Sequence, residues 1–510
     1  MHLNRDEYRK KVLGCWMGKN IGGTLGAPFE WRRKINDVSF YTQDLAGEPL
    51  PNDDLDIQLL WLVALEEQGI DIDAHVLAEY WLTYVTPHWC EYGTGKINMR
   101  AGLMPPLCGT ANNPYKHSCG AFIRSEIWAC IAPGCPRLAA RYAYEDAILD
   151  HGNGEGTYAE VLCAAMESAA FVESDLRKLI DIGLTYIPGD CAVRRAVDTA
   201  REAYDGGKTW QEARNLVLDR HRGGTMMGFL WCTSEEDQAR GFHEGEMGYD
   251  VPSNIALLIV GLLYGEGDFA ESLCIAVNCG EDTDCTAATA GALFGIIHGA
   301  DGIPQKWIDP IGRGIKTACL NLGELGYFGN QLPQDVDGLT DRTERLAHQV
   351  LARHGGHVTI GPDAPTDLAG CTAEQLCAGD YREQLLGRMN ATVFRYPFFE
   401  VAVDYGEDGP AVRDGEAKPV ALTITNHYKI AATFKVHWYA PEGWTVSPAA
   451  DGVVHVKQGP WTNHATVVFT VCADRVTQPM TRMAVELTMD GRPQVILVPV
   501  ALQNGNLART

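Results

Sequence analysis

The chain has no apolar stretch approaching the roughly eighteen uninterrupted residues that a membrane span needs, so no transmembrane helix is expected. Positive charge is scarce: 42 Lys and Arg stand against 66 Asp and Glu, a net charge of −24. Affinity for a phosphate backbone rests on Lys and Arg, and no basic patch with interleaved aromatics occurs, so no nucleic-acid partner is expected. Cys-x-x-Cys pairs and finger-like spacings are absent, although the chain holds 16 cysteines. Thiols scattered through apolar segments read as buried and reduced, which predicts a cytoplasmic protein. The opening Met1-His2-Leu3-Asn4-Arg5-Asp6-Glu7 lacks the apolar core of a signal peptide. Alternation of period two is missing before about residue 390, and the Gly-x-Gly-x-x-Gly order of a dinucleotide loop is missing throughout the glycine-rich opening. What is left is a globular composition, 46% hydrophobic and 21% charged over 510 residues, with room for about two to four domains.

Against that background two acidic knots stand out. Gly280-Glu281-Asp282-Thr283-Asp284-Cys285-Thr286 opens the small-residue run Ala287 to Gly299, which is apolar on nearly every side and predicts a buried helix. Pro51-Asn52-Asp53-Asp54-Leu55-Asp56 likewise precedes the apolar run Leu59 to Leu65. Capping is the ordinary explanation of one such knot, because acidic side chains accept from the orphan N–H groups at a helix start. Two knots at two buried helix starts instead suggest one shared site of hard oxygen ligands, the set that magnesium, manganese or calcium prefers. No Lys or Arg lies between Arg240 and Lys306, so the negative charge at 281–284 needs compensation from elsewhere, and a cation would supply it.

Along the chain, glycines at 14, 18, 22 and 26 fall four apart and predict a helix face packed tightly on another helix, ended by Pro28 with Glu30 just beyond. By itself Glu30 reads as a surface residue. Helices are predicted at 54–68, 72–85, 121–131, 136–149, 156–172, 174–185, 190–204, 208–219, 252–265, 268–278, 284–299 and 338–354. The segment 86–120, with Trp89 and its Pro and Asn pairs, reads as a long loop that forms a lid or pocket wall. The turn Ser118-Cys119-Gly120 offers backbone N–H groups to an anion. From Ala391, short alternating runs with turn punctuation predict a β-sandwich. The expected layout is therefore an all-α orthogonal helical domain over 1–355, a connector over 356–390 and an all-β accessory sandwich over 391–510, with a short likeness to immunoglobulin-like modules in Leu422–Asn426 and Ala440–Trp444.

The motifs Gly14-Cys15-Trp16-Met17-Gly18 through Gly26-Ala27-Pro28-Phe29-Glu30, Asn52-Asp53-Asp54, Gly120-Ala121-Phe122-Ile123-Arg124 and Gly280-Glu281-Asp282-Thr283-Asp284 resemble those of the ADP-ribosylglycohydrolase superfamily in order and separation. The resemblance implies an all-α enzyme with two Mg2+ ions, Mn2+ being a possible substitute, that hydrolyses the anomeric bond of an ADP-ribosyl or related ribosyl conjugate. It implies metal ligation by Asn52, Asp53, Asp54, Asp282, Asp284 and the residue at 285, with Glu30 reaching in and either Asp54 or Glu30 acting as base. Glu30, Ser118, Gly120, Arg124, His151 and Trp89 become the candidate substrate contacts. Three departures accompany the likeness: Asn52 replaces the usual Thr before the Asp pair, Leu55 replaces the Thr after it, and Cys285 replaces a hydroxyl ligand. Asp56 is an added acid that could bind an outer-sphere water. A glycosidase of the same fold acting on another sugar conjugate, and a non-catalytic ADP-ribose binder, are the alternatives. Oligomeric state is open, with a homo-oligomer allowed.

Overall fold

Asn4 caps the first helix, Arg5–Gly26, by accepting from the backbone N–H groups of Asp6 and Glu7, and the helix gives way to a single 3-10 turn, Ala27–Phe29, at Pro28. In this computed structural model, which describes residues 1–222, 234–240, 249–320 and 331–507, that helix lies against Thr283–His298 with almost no side chain between the two backbones. A Cβ placed on Gly14 would sit 2.4 Å from the Gly295 carbonyl oxygen, on Gly18 1.9 Å from that of Gly291, and on Gly22 2.1 Å from that of Ala287. At Gly26 it would sit 2.3 Å from the Thr283 oxygen. The pairing order, 14 with 295 through 26 with 283, makes the helices antiparallel and brings the exit of one to the entry of the other. Thr283 Oγ1 closes the seam by donating to the Gly26 carbonyl at 2.9 Å.

The described residues fall into two compact units, Met1–Gly93 with Pro114–Leu385, and Thr94–Asn113 with Leu386–Thr510. The first is helical. Pro136–Ala147, Glu155–Ala170, Leu176–Leu184, Ala192–Asp205, Trp210–His221, Val251–Tyr264, Phe269–Asn278 and Val336–His354 each lie within two residues of their predicted ends. Their core is aliphatic and aromatic, with Trp16, Trp61, Trp81, Trp128 and Trp307 all fully buried. No helix among the described residues is long and apolar enough to cross a membrane. One small strand pair joins this unit: His2–Asn4 runs parallel to Thr359–Gly361 within the expected connector.

The second unit carries two five-stranded sheets. Their spatial orders are Ala391–Tyr396, Phe399–Asp404, Lys418–Asn426, His464–Ala473, Trp444–Ser447, and Ala411–Val412, Val495–Asn504, Met480–Met489, Ala432–Tyr439, Asp451–Val456. Alternate residues Val420, Leu422 and Ile424 of one sheet and Phe434, Val436 and Trp438 of the other are buried. Ring contacts Phe399–Phe434 and Trp438–Phe469, each 5.2 Å between centroids, pack one sheet on the other as a β-sandwich.

Two sequence expectations are corrected here. Residues 86–120 are not one long loop: Cys90–Ala101 and Leu107–Thr110 are helical. The Pro and Asn pairs flanking them dominated the pattern, and Gly93 is required because a Cβ there would meet the His88 carbonyl oxygen at 2.2 Å. Within the second unit, Arg482 donates to the Ala101 carbonyl at 3.0 Å, a tertiary bond that no local pattern encodes. The predicted helix 121–131 is broken into a turn, Phe122–Arg124, and a helix, Glu126–Ile131. Ser125 Oγ bonds back to Phe122 O at 2.9 Å, and the Gln58 side chain accepts from the Ile127 N–H at 2.8 Å, so backbone groups are satisfied across the break.

If the seam sets the fold, Gly18→Ala should cost about 3 kcal/mol, since neither backbone can retreat without moving a whole helix. Gly189→Ala, with open space where its Cβ would point, should change stability by less than about 0.5 kcal/mol. Thermal melting of the two variants checks this, and equal melting temperatures would refute it.

Candidate metal centre

The seam delivers Glu30 and the 281–284 knot to one place, and two backbone devices hold them there. Trp31 and Glu281, at φ 62° and 68°, both adopt the left-handed conformation at an isolated bridge between the two segments: Trp31 N donates to Glu281 O at 2.8 Å, and Glu281 N to Arg32 O at 3.2 Å. Such conformations cost about 1–3 kcal/mol each and persist only where the surroundings enforce them. The Asn254 side chain accepts from Asp282 N at 3.1 Å. The Asp53–Gln68 helix arrives from the other side, with Asn52 lodged so closely on Gly23 that a Cβ there would lie 2.2 Å from Asn52 Nδ2.

Glu30, Asp53, Asp54, Asp282, Asp284 and Cys285 thus converge. Ligand atoms of Glu30, Asp282 and Asp284 lie within 4.8 Å of one another, and so do those of Asp54, Asp284 and Cys285. Asp284 belongs to both sets. Both carboxylate oxygens of Asp54, and Oδ1 of Asp282 and of Asp284, are buried without a hydrogen-bond partner. Buried polar atoms are rarely left so, and carboxylates converging without donors fit a divalent cation. These residues would hold it, Asp284 from a position shared by two sites.

Burial raises every one of these carboxyl groups. Glu30 is pushed up to about 9 by burial and then by Asp282, Asp53 and Asp54. Asp54 rises to about 8 through burial, opposed by Lys19, whose Nζ is 3.5 Å from Asp54 Oδ1 and 2.8 Å from Glu126 Oε1. Asp53 reaches about 6, again chiefly through burial. Asp282 is raised and Asp284 raised well above the usual range, with burial the largest cause for both. One lysine cannot neutralise this cluster.

The centre forms the floor of a cavity of about 270 Å³. Glu30, Asp53, Asp282 and Cys285 line it below, and Trp31, Trp89, Tyr92, Ile123 and Tyr249 wall it, with Glu91, Cys119 and Gly120 on one side. Trp89 is 51% exposed, at a rim. Glu91, pushed up to about 7 mainly by burial, approaches Gly120 so closely that a Cβ there would meet its Oε1 at 2.1 Å.

Several candidates lie elsewhere than expected. Arg124 is fully buried and does not line the cavity, donating to Asp150 at 2.9 Å and paired with Asp146 at 3.0 Å. Its other bond, to the Gly120 carbonyl at 2.8 Å, fixes the cavity wall. His151 and Ser118 are also fully buried, 3.1 Å apart through Nε2 and Oγ, with His151 Nδ1 2.7 Å from Asp150. They stand behind the wall and do not face the cavity. Asn52 Oδ1 accepts from Asp54 N at 2.7 Å and so caps the helix. Asp56 is fully buried, and its Oδ2 accepts from the Ala318 and Cys319 N–H groups. The charge of Glu281 is met by Arg33 at 2.7 Å, from the other side of the bridge. Lys19, Glu91, Tyr92, Cys119 and Tyr249 were not singled out from the sequence. Lys19 had a signal, being the one charge between Val12 and Phe29.

A family model for ADP-ribosylglycohydrolase matches residues 4–352. ADP-ribosylarginine hydrolase Tri1 of Pseudomonas putida (strain GB-1) is 33% identical over 49 residues, 10% of this chain and 13% of that protein. The match therefore spans well under two thirds of the curated relative. Similar solved structures include a FixG-related protein from Vibrio parahaemolyticus (12% identity, 21% of this chain and 94% of that one, TM-score 0.16). The ASH/PapD-like domain 7 of human CEP192 gives 14% identity, 22% and 89% coverage and TM-score 0.16. Alkylpurine DNA glycosylase AlkC of Pseudomonas fluorescens gives 14% identity, 74% and 97% coverage and TM-score 0.12. At these scores none bears on fold or activity.

Without a cation, carboxyl groups raised above their unfolded value of about 4 hold protons that the unfolded chain has released. Stability should then be greatest near pH 4–5 and fall as pH rises through about 6 for Asp53, 8 for Asp54 and 9 for Glu30. A divalent ion replaces those protons, so Mg2+ or Mn2+ should raise the melting temperature of chelator-treated protein by several degrees at about pH 8 and hardly at all at about pH 5. Shifts of equal size at both pH values would contradict this.

Proposed function

The chain belongs to the ADP-ribosylglycohydrolase family, and from that premise we propose that it hydrolyses the anomeric bond of an ADP-ribosyl or related ribosyl conjugate at a two-cation carboxylate centre. The observation that carries the proposal is the convergence of Glu30, Asp53 and Asp282 at one cavity with Asp54 and Asp284 against them, where buried oxygens of Asp54, Asp282 and Asp284 have no hydrogen-bond partner. Mg2+ or Mn2+ bound there would supply Lewis acidity to the sugar hydroxyls and to a water. Glu30 is the base, because it lines the cavity while Asp54 and Asp284 do not. With the anions of the cluster compensated, Glu30 loses its reason to stay protonated and takes the proton of the attacking water. The remaining carboxylates stabilise the oxocarbenium character that develops at the ribosyl carbon. Trp89 and Tyr92, 6.3 Å apart between ring centroids, offer apolar faces beside the reacting sugar. We read the sandwich as an immunoglobulin-like accessory module and the protein as cytoplasmic, in keeping with described cysteines that are all free.

The size of the cavity admits a second reading. At about 270 Å³ it lies just below the roughly 300–1,000 Å³ of sites that enclose a drug-sized ligand, enough for a sugar ring and its near neighbours. A ribosyl or other sugar conjugate without adenosine would fit it equally well. Product analysis on ADP-ribosylated proteins, small ADP-ribosyl compounds and simple glycosides separates the two. Release of ADP-ribose supports the first reading. Release of sugar from simple glycosides only supports the second, and tight ADP-ribose binding with no product marks a binder. Asp54→Asn and Asp282→Asn should each lower turnover at least about 1,000-fold while the protein stays folded. Full activity of either variant after chelation would overturn the assignment.

A further inference from the structure

The two ligand sets of the centre are chemically unequal. Glu30, Asp282 and Asp284 present only carboxylate oxygen, whereas Asp54, Asp284 and Cys285 bring a sulfur atom within 4.8 Å of two carboxylates. Cys285 is 7% exposed, sits in the first turn of Thr283–His298 and lines the cavity. The groups it faces point to a ligand: both oxygens of Asp54 and Oδ1 of Asp284 are buried without hydrogen-bond partners, the two residues being 1% and 4% exposed. Lys19 stands 3.5 Å from Asp54 and is already engaged by Glu126, so it does not fill the space.

We propose that the ion held by Asp54, Asp284 and Cys285 is a thiophilic divalent cation, zinc, ferrous iron or cobalt, ligated by the Cys285 sulfur, beside an all-oxygen position that keeps Mg2+ or Mn2+. This rests on the two-cation reading of the same site. The hard ions gain little from sulfur, while borderline ions gain in affinity from thiolate and imidazole donors. Binding replaces the S–H bond of Cys285 with a sulfur–metal bond, and the proton leaves to solvent with no change of oxidation state. Cys119 lines the same cavity but belongs to neither ligand set.

Co2+ is the probe. Chelator-treated full-length protein titrated with CoCl2 should develop a thiolate-to-cobalt charge-transfer band in the near ultraviolet. Cys285→Ser should abolish the band and keep the fold by circular dichroism, whereas Cys119→Ser and the remote Cys371→Ser should retain it. In competition, Cys285→Ser should weaken Zn2+ relative to Mg2+ by at least the order of tenfold that losing even an outer-sphere partner costs. Cobalt bound stoichiometrically by equilibrium dialysis without the band, or a band that survives in Cys285→Ser, overturns sulfur ligation and leaves the two-cation centre standing. Absence of any Co2+, Mn2+ or Mg2+ binding overturns both.

Discussion

Everything in the helical unit that bears on function depends on one close contact, the backbone-to-backbone packing of Arg5–Gly26 on Thr283–His298. Residues some 260 positions apart are locked in register because no side chain intervenes, and any slip along the seam would drive a Cβ or a carbonyl into the opposite helix. Packing of this kind transmits position faithfully. It sets Glu30, at the end of one helix, against Asp282 and Asp284, at the start of the other. The Asp53–Gln68 helix is then seated by Asn52 on Gly23, and the third group of acids is placed by the same surface.

Electrostatically the arrangement is unfavourable on its own. Burial alone pushes the carboxyl groups of the cluster upward, and each raises its neighbours. The protein meets part of this charge with fixed cations, Lys19 toward Asp54 and Arg33 toward Glu281, both drawn from the first stretch of the chain. The rest stays uncompensated next to a cavity, and the strained residues Trp31 and Glu281 lie at the same spot. Strain and unmatched charge concentrated together are what a site gives up in stability to hold ligand atoms ready for an ion.

Much of this was legible in the residue order. Glycines four apart describe a tightly packed helix face directly, and Pro28 marks its end, while the partner helix and the register of the seam come only from the fold. The acidic knots at 52–56 and 281–284 could be paired because each opens an apolar run. What could not be read was the division of labour inside each knot. Asn52 as cap and Asn52 as ligand have the same local sequence, and it is the bond to Asp54 N that shows the cap. Nor does the sequence show that Asp56 accepts from the loop at 318–319, or that Arg33 meets the charge of Glu281. Arg124 and His151 pair with Asp146 and Asp150, which lie on a part of the chain with no marking of its own. Local pattern carries secondary structure and burial, while the partner of a buried charge is a tertiary fact.

Anomalous diffraction from crystals soaked in MnCl2 tests the central claim most directly, that two remote acidic segments meet around divalent ions. The account predicts anomalous density among Glu30, Asp282 and Asp284 at the cavity lined by Trp89 and Tyr92, and a second peak between Asp54 and Asp284 from crystals soaked also in CoCl2. Density confined to surface carboxylates, with Asp54 and Asp284 turned away from one another, would contradict it.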